Sequence, residues 1–367
     1  MEFGLGLMGY YGCWEDAAFA ESHGFSTAGF VDSPLLGGDP YACMALAAQM
    51  TSSMRVGALL AIPSNRNAAT TATGIATINR TAPGRTFLAL GTGFTGRVTF
   101  GLPRLRASRL RDYAADCRAL LDGQEIIHVE GSRERAIRLR HKDGLYVDLE
   151  HRIPLYVAAD GPKALAVAGE VGDGWVVTLM YANVMANAPE VFAQSLEQAE
   201  AAANRVGRSL EAAYKMYSAC VCILEPGESA VSPRALEQVG MAAMMPFHAY
   251  ADDPSIAQFL PPPLQDRLEI YEGEVLSRLP VPRDRIYQEA HRGHLSHLLD
   301  GEAAVLTDEI VRMTTLTGTA EEVADVLRRL EHAGLDNVTF WIPPHLTRET
   351  IVTIEQEVMP LLATSVT

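Results

Sequence analysis

The sequence predicts an α/β protein folded as one (β/α)8 TIM barrel with insertions, and three observations predict it. Strand-like and helix-like segments alternate four times before residue 123, and residues 153–178 pack strand, turn, helix and second strand into one short unit. No GxGxxG follows the first strand, as a doubly wound dinucleotide fold would require. The chain has 367 residues, 48% of them apolar, which suits a single barrel with a large core.

Taken in order, residues 2–8 read as the first strand and 15–22 as a helix closed at Gly24. Residues 25–31 form a second strand that ends at Asp32-Ser33-Pro34. The C-terminal end of a strand is the rim where parallel barrels place their chemistry. A helix at 41–50, a strand at 55–62, a helix at 68–79 and a strand at 85–90, running into Gly91-Thr92-Gly93, complete the alternation. After a helix at 105–121, residues 123–149 carry short alternating segments with turns at Gly131-Ser132 and Asp143-Gly144, which predicts a β-hairpin insertion.

The unit at 153–178 opens with an apolar run at 155–159, flat enough for a strand buried on both faces. Asp160-Gly161-Pro162 breaks it, and Pro162 suits a first helical turn, where no amide donor is needed. Residues 163–171 carry apolar side chains at helical spacing, Gly172-Asp173-Gly174 ends that helix, and Trp175 begins the next strand. Such a unit joins parallel strands by a right-handed crossover. The amides of residues 160–163 would point out of the helix N-terminus, where the macrodipole favours an anion. The pattern alone leaves open a phosphate-holding turn and a turn that binds nothing.

Beyond 178 the reading is coarser: a helix at 189–206, a strand at 213–224 and a helix at 233–245. Residues 247–301, with Pro261-Pro262-Pro263 and HRGHLSH, are the least patterned, and 225–317 as a whole is expected to be a mostly helical insertion covering the barrel mouth. Thr319 and Glu322 then form a capping box for a helix that stops at Gly334. A last strand at 337–342 and a last helix at 349–362 follow.

A formal net charge of −15 disfavours nucleic acid or an anionic membrane surface as partner, leaving small molecules or a second copy of the chain. The five cysteines are odd in number and lack metal-ligand or CxxC spacing, so they read as free thiols. Cys220 and Cys222 share one strand face. No basic segment leads into an apolar one at the start, and no run reaches the roughly 18 apolar residues of a membrane span, so a cytoplasmic protein is expected.

The turn Ala158-Ala159-Asp160-Gly161-Pro162, with Gly172-Asp173-Gly174 behind it, resembles the cofactor-phosphate turn of the luciferase-like flavin and deazaflavin oxidoreductases. Within that family it is most similar to the methylenetetrahydromethanopterin reductase branch. Two further stretches match, VGALLAIPSNRNAATTATGIATI with GRTFLALGTG, and Asp32-Ser33-Pro34 with Asp39-Pro40-Tyr41. The resemblance implies a luciferase-like barrel in which Leu59-Leu60 falls at a non-prolyl cis peptide behind the flavin ring. It also implies that Gly91, Thr92, Gly93 and Thr178 meet the cofactor together with residues 158–162.

The same resemblance places Asp32 and Ser33 at the catalytic position. Hydride-transferring deazaflavin enzymes of the family carry Asp-His there, and Ser33 stands where the His would. A hydroxyl does not titrate near neutral pH, so the proton step falls into question and Asp32 remains to bond cofactor or substrate. The implied cofactor is coenzyme F420, used for hydride transfer. The alternative is FMN in a two-component monooxygenase fed by a separate flavin reductase, and a barrel that only binds a ligand is the third reading. Barrels of this family pair, so a homodimer is expected.

Other residues bear on a pocket. Tyr10, Tyr11 and Trp14 follow the first strand and could line a substrate pocket at the rim, and His248, beside Met244, Met245 and Phe247, is a further pocket residue. Arg66 and Arg97 are rim cations suited to an anion or to plain surface positions. His291, His294 and His297 are spaced for one helix face, but neither carboxylate nor Cys completes a set nearby and Gly293 weakens the helix, so no metal is expected.

Overall fold

The structure, a computed structural model, describes residues 1–141, 144–179 and 182–363; Asp143 of the expected Asp143-Gly144 turn lies outside them. Eleven strands are described: β1 (Glu2–Leu7), β2 (Thr27–Phe30), β3 (Arg55–Ala61), β4 (Thr86–Leu90), β5 (Ile126–Glu130), β6 (Arg133–Ile137), β7 (Leu155–Ala158), β8 (Gly174–Val177), β9 (Tyr214–Ile223), β10 (Leu316–Gly318) and β11 (Asn337–Trp341). Hydrogen bonding runs β11-β1-β2-β3-β4-β7-β8 and returns through β9 to β11, all parallel, so eight strands close a (β/α)8 barrel. β10 adds a short parallel strand to the far end of β9, an element the sequence pattern missed.

Each strand divides its side chains by the period of two that a pleated strand imposes. Leu5, Leu7, Ala28, Phe30, Val56, Ala58, Leu155 and Val157 face the shell of helices, whereas Leu59, Phe87, Ala89, Tyr156, Val176, Met216, Cys220, Cys222 and Trp341 share a second cluster inside the barrel. All five cysteines are free and buried. Inside, Phe87, Tyr156 and Tyr214 stack at 5.4 and 5.5 Å, and the Arg55 guanidinium lies over Tyr214, paired with Glu2. Glycines make room for these rings: an ideal Cβ at Gly6 would lie 2.5 Å from the Trp341 indole.

Local signals hold well at several ends. Asp39 caps the helix Pro40–Met50 through the amides of Tyr41 and Ala42, and Thr319 with Glu322 forms the expected capping box. The helix expected from Pro189 begins earlier, at Val184, after Asn183 in the left-handed region. Residues 126–137 form the antiparallel ribbon β5–β6, and 233–314 contain short α, 3-10 and π turns. Residues from these turns, including Val239, Met244, Phe247, Tyr271 and Ile310, join the apolar cluster that fills the barrel interior. No helix among the described residues is long and apolar enough to cross a membrane.

Candidate active site

Of the expected site residues, Leu59 and Leu60 fall within β3 and Ala158 ends β7, while Asp32, Ser33, Gly91, Thr92, Gly93, residues 159–162 and Thr178 fall on the loops that follow β2, β4, β7 and β8. In β3 the register slips: Ala58 pairs with Leu88 but Ala61 with Leu90, so β3 holds one residue more than β4 over this span, a bulge. Leu59 and Leu60 therefore both turn toward the interior cluster, and the peptide bond between them is cis. Two glycines flank them at close range. A Cβ at Gly29 would lie 2.5 Å from Leu59 Cδ2, and one at Gly91 would lie 2.7 Å from Leu60 Cδ1.

Asp32 sits just past β2 and is buried. Its Oδ2 accepts from the Ile62 amide at 3.3 Å, and its carbonyl accepts from Asn65 Nδ2 at 3.2 Å. Burial, the leading cause, raises the Asp32 carboxyl above its ordinary value; bonds from Asn65 and Ile62 and the nearby Arg66 pull the other way without cancelling it. Ser33 beside it is also buried, and its carbonyl accepts the amides of Leu36 and Gly37 in the following turn. Neither Ile62 nor Asn65 was singled out in the sequence; both lie in the bulged strand's exit loop, within the quoted matching stretch.

After β4, Gly93 has φ +80 and turns the chain into the short helix Thr95–Val98. A Cβ at Gly96 would lie 2.7 Å from the Asp32 carbonyl, so the loops after β2 and β4 touch backbone to backbone. After β7, Asp160 uses its carboxylate internally. Oδ1 accepts from the amides of Thr178 at 2.8 Å and Leu179 at 3.0 Å, and Oδ2 from Thr178 Oγ1 at 2.9 Å. Its negative charge is thus turned onto the exit of β8, and Ala159 is fixed alongside by the Trp175 indole at 2.7 Å. Gly161, the N-cap of the helix Pro162–Val171, is exposed, and a Cβ there would meet nothing within 4 Å. Pro162 carries no amide donor and the Ala164 amide turns back to the Gly161 carbonyl at 3.0 Å, which leaves the amides of Gly161 and Lys163 as the donors this helix end can offer an anion.

The expected pocket aromatics are placed differently. The Tyr10 hydroxyl donates to Asp16 at 2.7 Å, and Tyr10 and Trp14 pack against the outer helical cluster. Tyr11 is 93% exposed and meets Trp14 edge-on. Arg66 is paired with Asp39 and lies over Tyr41, and Arg97 donates through Nε to the Pro103 carbonyl at 2.6 Å.

His248 is fully buried and bonded through Nε2 to Glu302 at 2.7 Å, so it does not line an open pocket. The HRGHLSH segment is a series of turns rather than a helix, broken by Leu295 at φ 55. His291 and His294 are consequently drawn in beside His248, whereas His297 stays near the surface against Ser296. An indentation of about 310 Å³ lined by Arg118, Asp122, Glu150 and Arg152 lies at the strand N-termini, the opposite rim from the loops described above.

The chain matches the luciferase-like monooxygenase family over residues 14–337. It belongs to that family. Among its relatives, the 5,10-methylenetetrahydromethanopterin reductase of Archaeoglobus fulgidus is 25% identical over 372 residues, covering 99% of this chain and 100% of the relative. The reductase of the same name from Methanolobus tindarius is 29% identical over 212 residues, 55% of this chain and 60% of that protein. The fold is shared with the coenzyme F420-dependent tetrahydromethanopterin reductase of Methanopyrus kandleri (TM-score 0.70, 19% identity, 98% of both chains). It is shared too with the oxygenating constituent of 3,6-diketocamphane monooxygenase from Pseudomonas putida in complex with FMN (TM-score 0.60, 14% identity, 98% of both chains). This luciferase-like protein is an oxidoreductase, and the two solved structures it resembles are named for coenzyme F420, a deazaflavin, and for FMN, a flavin.

Proposed function

We propose that this luciferase-like enzyme transfers a hydride to or from a small organic substrate with coenzyme F420. The observation that carries the proposal is the buried Asp32, its carboxyl raised by burial and bonded by the exit loop of the bulged β3. The full-length similarity to a methylenetetrahydromethanopterin reductase, together with the fold shared with a coenzyme F420-dependent tetrahydromethanopterin reductase, supports the choice of deazaflavin. The residues present fit such a cofactor: Leu60 is partly exposed beside the bare backbone of Gly91, and the helix end at Gly161 leaves space for an anion.

In this reading Leu59 and Leu60 back the ring system, Gly91, Thr92 and Gly93 border it, and Ala158, Ala159, Gly161 and Pro162 receive the phosphate. Asp160 and Thr178 hold that turn through the bonds described above. The cofactor, when bound, supplies the hydride chemistry. Asp32 holds or releases the accompanying proton at its carboxyl, the task Ser33 cannot perform because a hydroxyl does not titrate near neutral pH. Residues 225–317 exclude water from the mouth, 123–149 stand outside the barrel as an insertion, and two chains pair as a homodimer.

The second reading, an FMN-dependent monooxygenase supplied by a separate reductase, is favoured by the shared fold of the FMN-bound camphane monooxygenase. A side-by-side fluorescence titration with coenzyme F420 and FMN, each oxidised and reduced, tests both. Tight binding of the deazaflavin alone is expected. Preference for reduced FMN, with oxygen consumption, would overturn the proposal.

A further inference from the structure

Three imidazoles that the oxidoreductase reading does not use lie together inside the segment over the barrel mouth. His248 comes from the helix Met245–Asp252, and His291 and His294 from the turns that follow residue 290. Their exposures are 0, 1 and 5%. One ring nitrogen of each lies within 4.8 Å of those of the other two. Their rings also meet pairwise, His248 with His291 at 5.2 Å and His291 with His294 at 6.1 Å between centroids.

Each ring has one nitrogen engaged. His248 Nε2 is 2.7 Å from Glu302 Oε1, His291 Nε2 is 2.9 Å from Asp252 Oδ2, and His294 Nε2 is 2.9 Å from Thr95 Oγ1. Glu302 is itself buried and fixed, its other oxygen accepting the Leu299 amide at 2.7 Å. A carboxylate can only accept, so it fixes the proton on Nε2 of His248 and His291 and leaves Nδ1 as a bare lone pair. Nδ1 of all three residues is buried with no hydrogen-bond partner. Leaving one such atom unsatisfied costs about 1–3 kcal/mol, so three in one small space call for a common partner.

We infer that His248, His291 and His294 bind a divalent transition cation of the zinc class through Nδ1. Imidazole is a preferred ligand of such ions, and a carboxylate or hydroxyl behind the other ring nitrogen is the usual outer support of a metal-bound histidine. Bonds of about 2.0–2.1 Å in a tetrahedral site place ligand nitrogens roughly 3.3 Å apart. The three rings here offer nitrogens within 4.8 Å of one another, a spacing of the same order. No fourth His, Cys, Asp or Glu joins the group among the described residues, which leaves the fourth position to water or a small ligand. Because Thr95 belongs to the loop after β4, the ion would fasten the covering segment to the barrel rim.

The test is a cobalt titration of tag-free, EDTA-treated and dialysed full-length protein, with Zn²⁺ as competitor. The wild type should take up about one Co²⁺ per chain, show the visible bands of a tetrahedral ion, and lose them to Zn²⁺. His291→Ala and His294→Ala should abolish this uptake, His297→Ala should leave it unchanged, and Glu302→Gln or Asp252→Asn should weaken it about 10–100-fold. Zn²⁺ should also raise the thermal midpoint of the wild type and not of His291→Ala. Absence of uptake by the folded wild type would overturn the inference, as would undiminished uptake by His291→Ala and His294→Ala. Should those variants not fold, the wild-type titration decides alone. The readout requires no flavin or deazaflavin, so its outcome is separate from that of the proposed function.

Discussion

The helix N-terminus at Gly161 offers the cleanest perturbation, because there binding and folding can be separated. Gly161 has φ −100 and ψ 158, an extended conformation open to any residue, and its missing Cβ faces open space. Replacing glycine at an N-cap with a large apolar side chain forfeits about 0.5–1 kcal/mol of capping. A domain stable by about 5–15 kcal/mol survives that. Binding should respond very differently. If two amides of the turn donate to a cofactor phosphate, each bond to a charged group is worth about 1.5–3 kcal/mol, and Gly161→Phe would cover both. The loss of about 3 kcal/mol corresponds to a Kd roughly a hundredfold weaker. Gly161→Ser, small and a good N-cap, should stay within several-fold of wild type. Fluorescence titrations with coenzyme F420 and FMN, paired with urea unfolding of the same preparations, read both quantities. An unchanged Kd for both cofactors in a Gly161→Phe protein of wild-type stability would refute the phosphate turn.

Three further outcomes are expected. Asp32→Asn should lower turnover by about 10²–10⁴-fold, as loss of an acid–base group does. Its stability at pH 7 should equal or exceed wild type, because the native carboxyl, raised by burial, holds its proton more tightly than the unfolded chain and loses stability as pH climbs from 3.8 through the raised value; unimpaired turnover would remove Asp32 from the site. Gly29→Ala should destabilise by about 1–3 kcal/mol in urea, since the new methyl would overlap Leu59, and an unshifted midpoint would show that the bulge can move aside. For Glu21, burial alone would raise the carboxyl, but the amides of Ser53, Met54 and Ser52 outweigh it and hold it down at about 2. Glu21→Gln should therefore lose about 1–3 kcal/mol at pH 7, discounted for partial exposure, and the deficit should fade as pH falls from 4.5 toward 2; a deficit independent of pH would assign the effect to packing.

The barrel was legible because its signals are local. The flat run 155–159, the Gly-Pro turn and the capping box at Thr319 each announce themselves within a few residues, and the observed ends differ from the expected ones by one or two positions. The cis bond at Leu59–Leu60 has no local signature at all; only the resemblance pointed to it. Where a side chain's partner lies outside the local pattern, the sequence carries no signal for it. The Tyr10 hydroxyl is taken by Asp16, and the histidines are gathered by partners remote in the chain, His248 by Glu302 and His294 by Thr95. Helical spacing in HRGHLSH suggested His297 as third member, yet the left-handed Leu295 breaks the helix and His248, more than forty residues away in sequence, takes that place.

The loop after β4 is where the two halves of this picture meet. Gly93 and Gly96 are small for different reasons, the first to reach φ +80 and the second to let its backbone rest on the Asp32 carbonyl. Between them, Phe94 stands edge-on to His291 and His294, and the Thr95 hydroxyl meets His294 Nε2. One stretch of four residues therefore touches both the imidazole cluster and the loop that carries the buried carboxyl. Ile62 and Asn65 meet Asp32 from the β3 side. The imidazole cluster is thus joined through Thr95 to the loop that packs on Asp32, rather than lying at a remote surface.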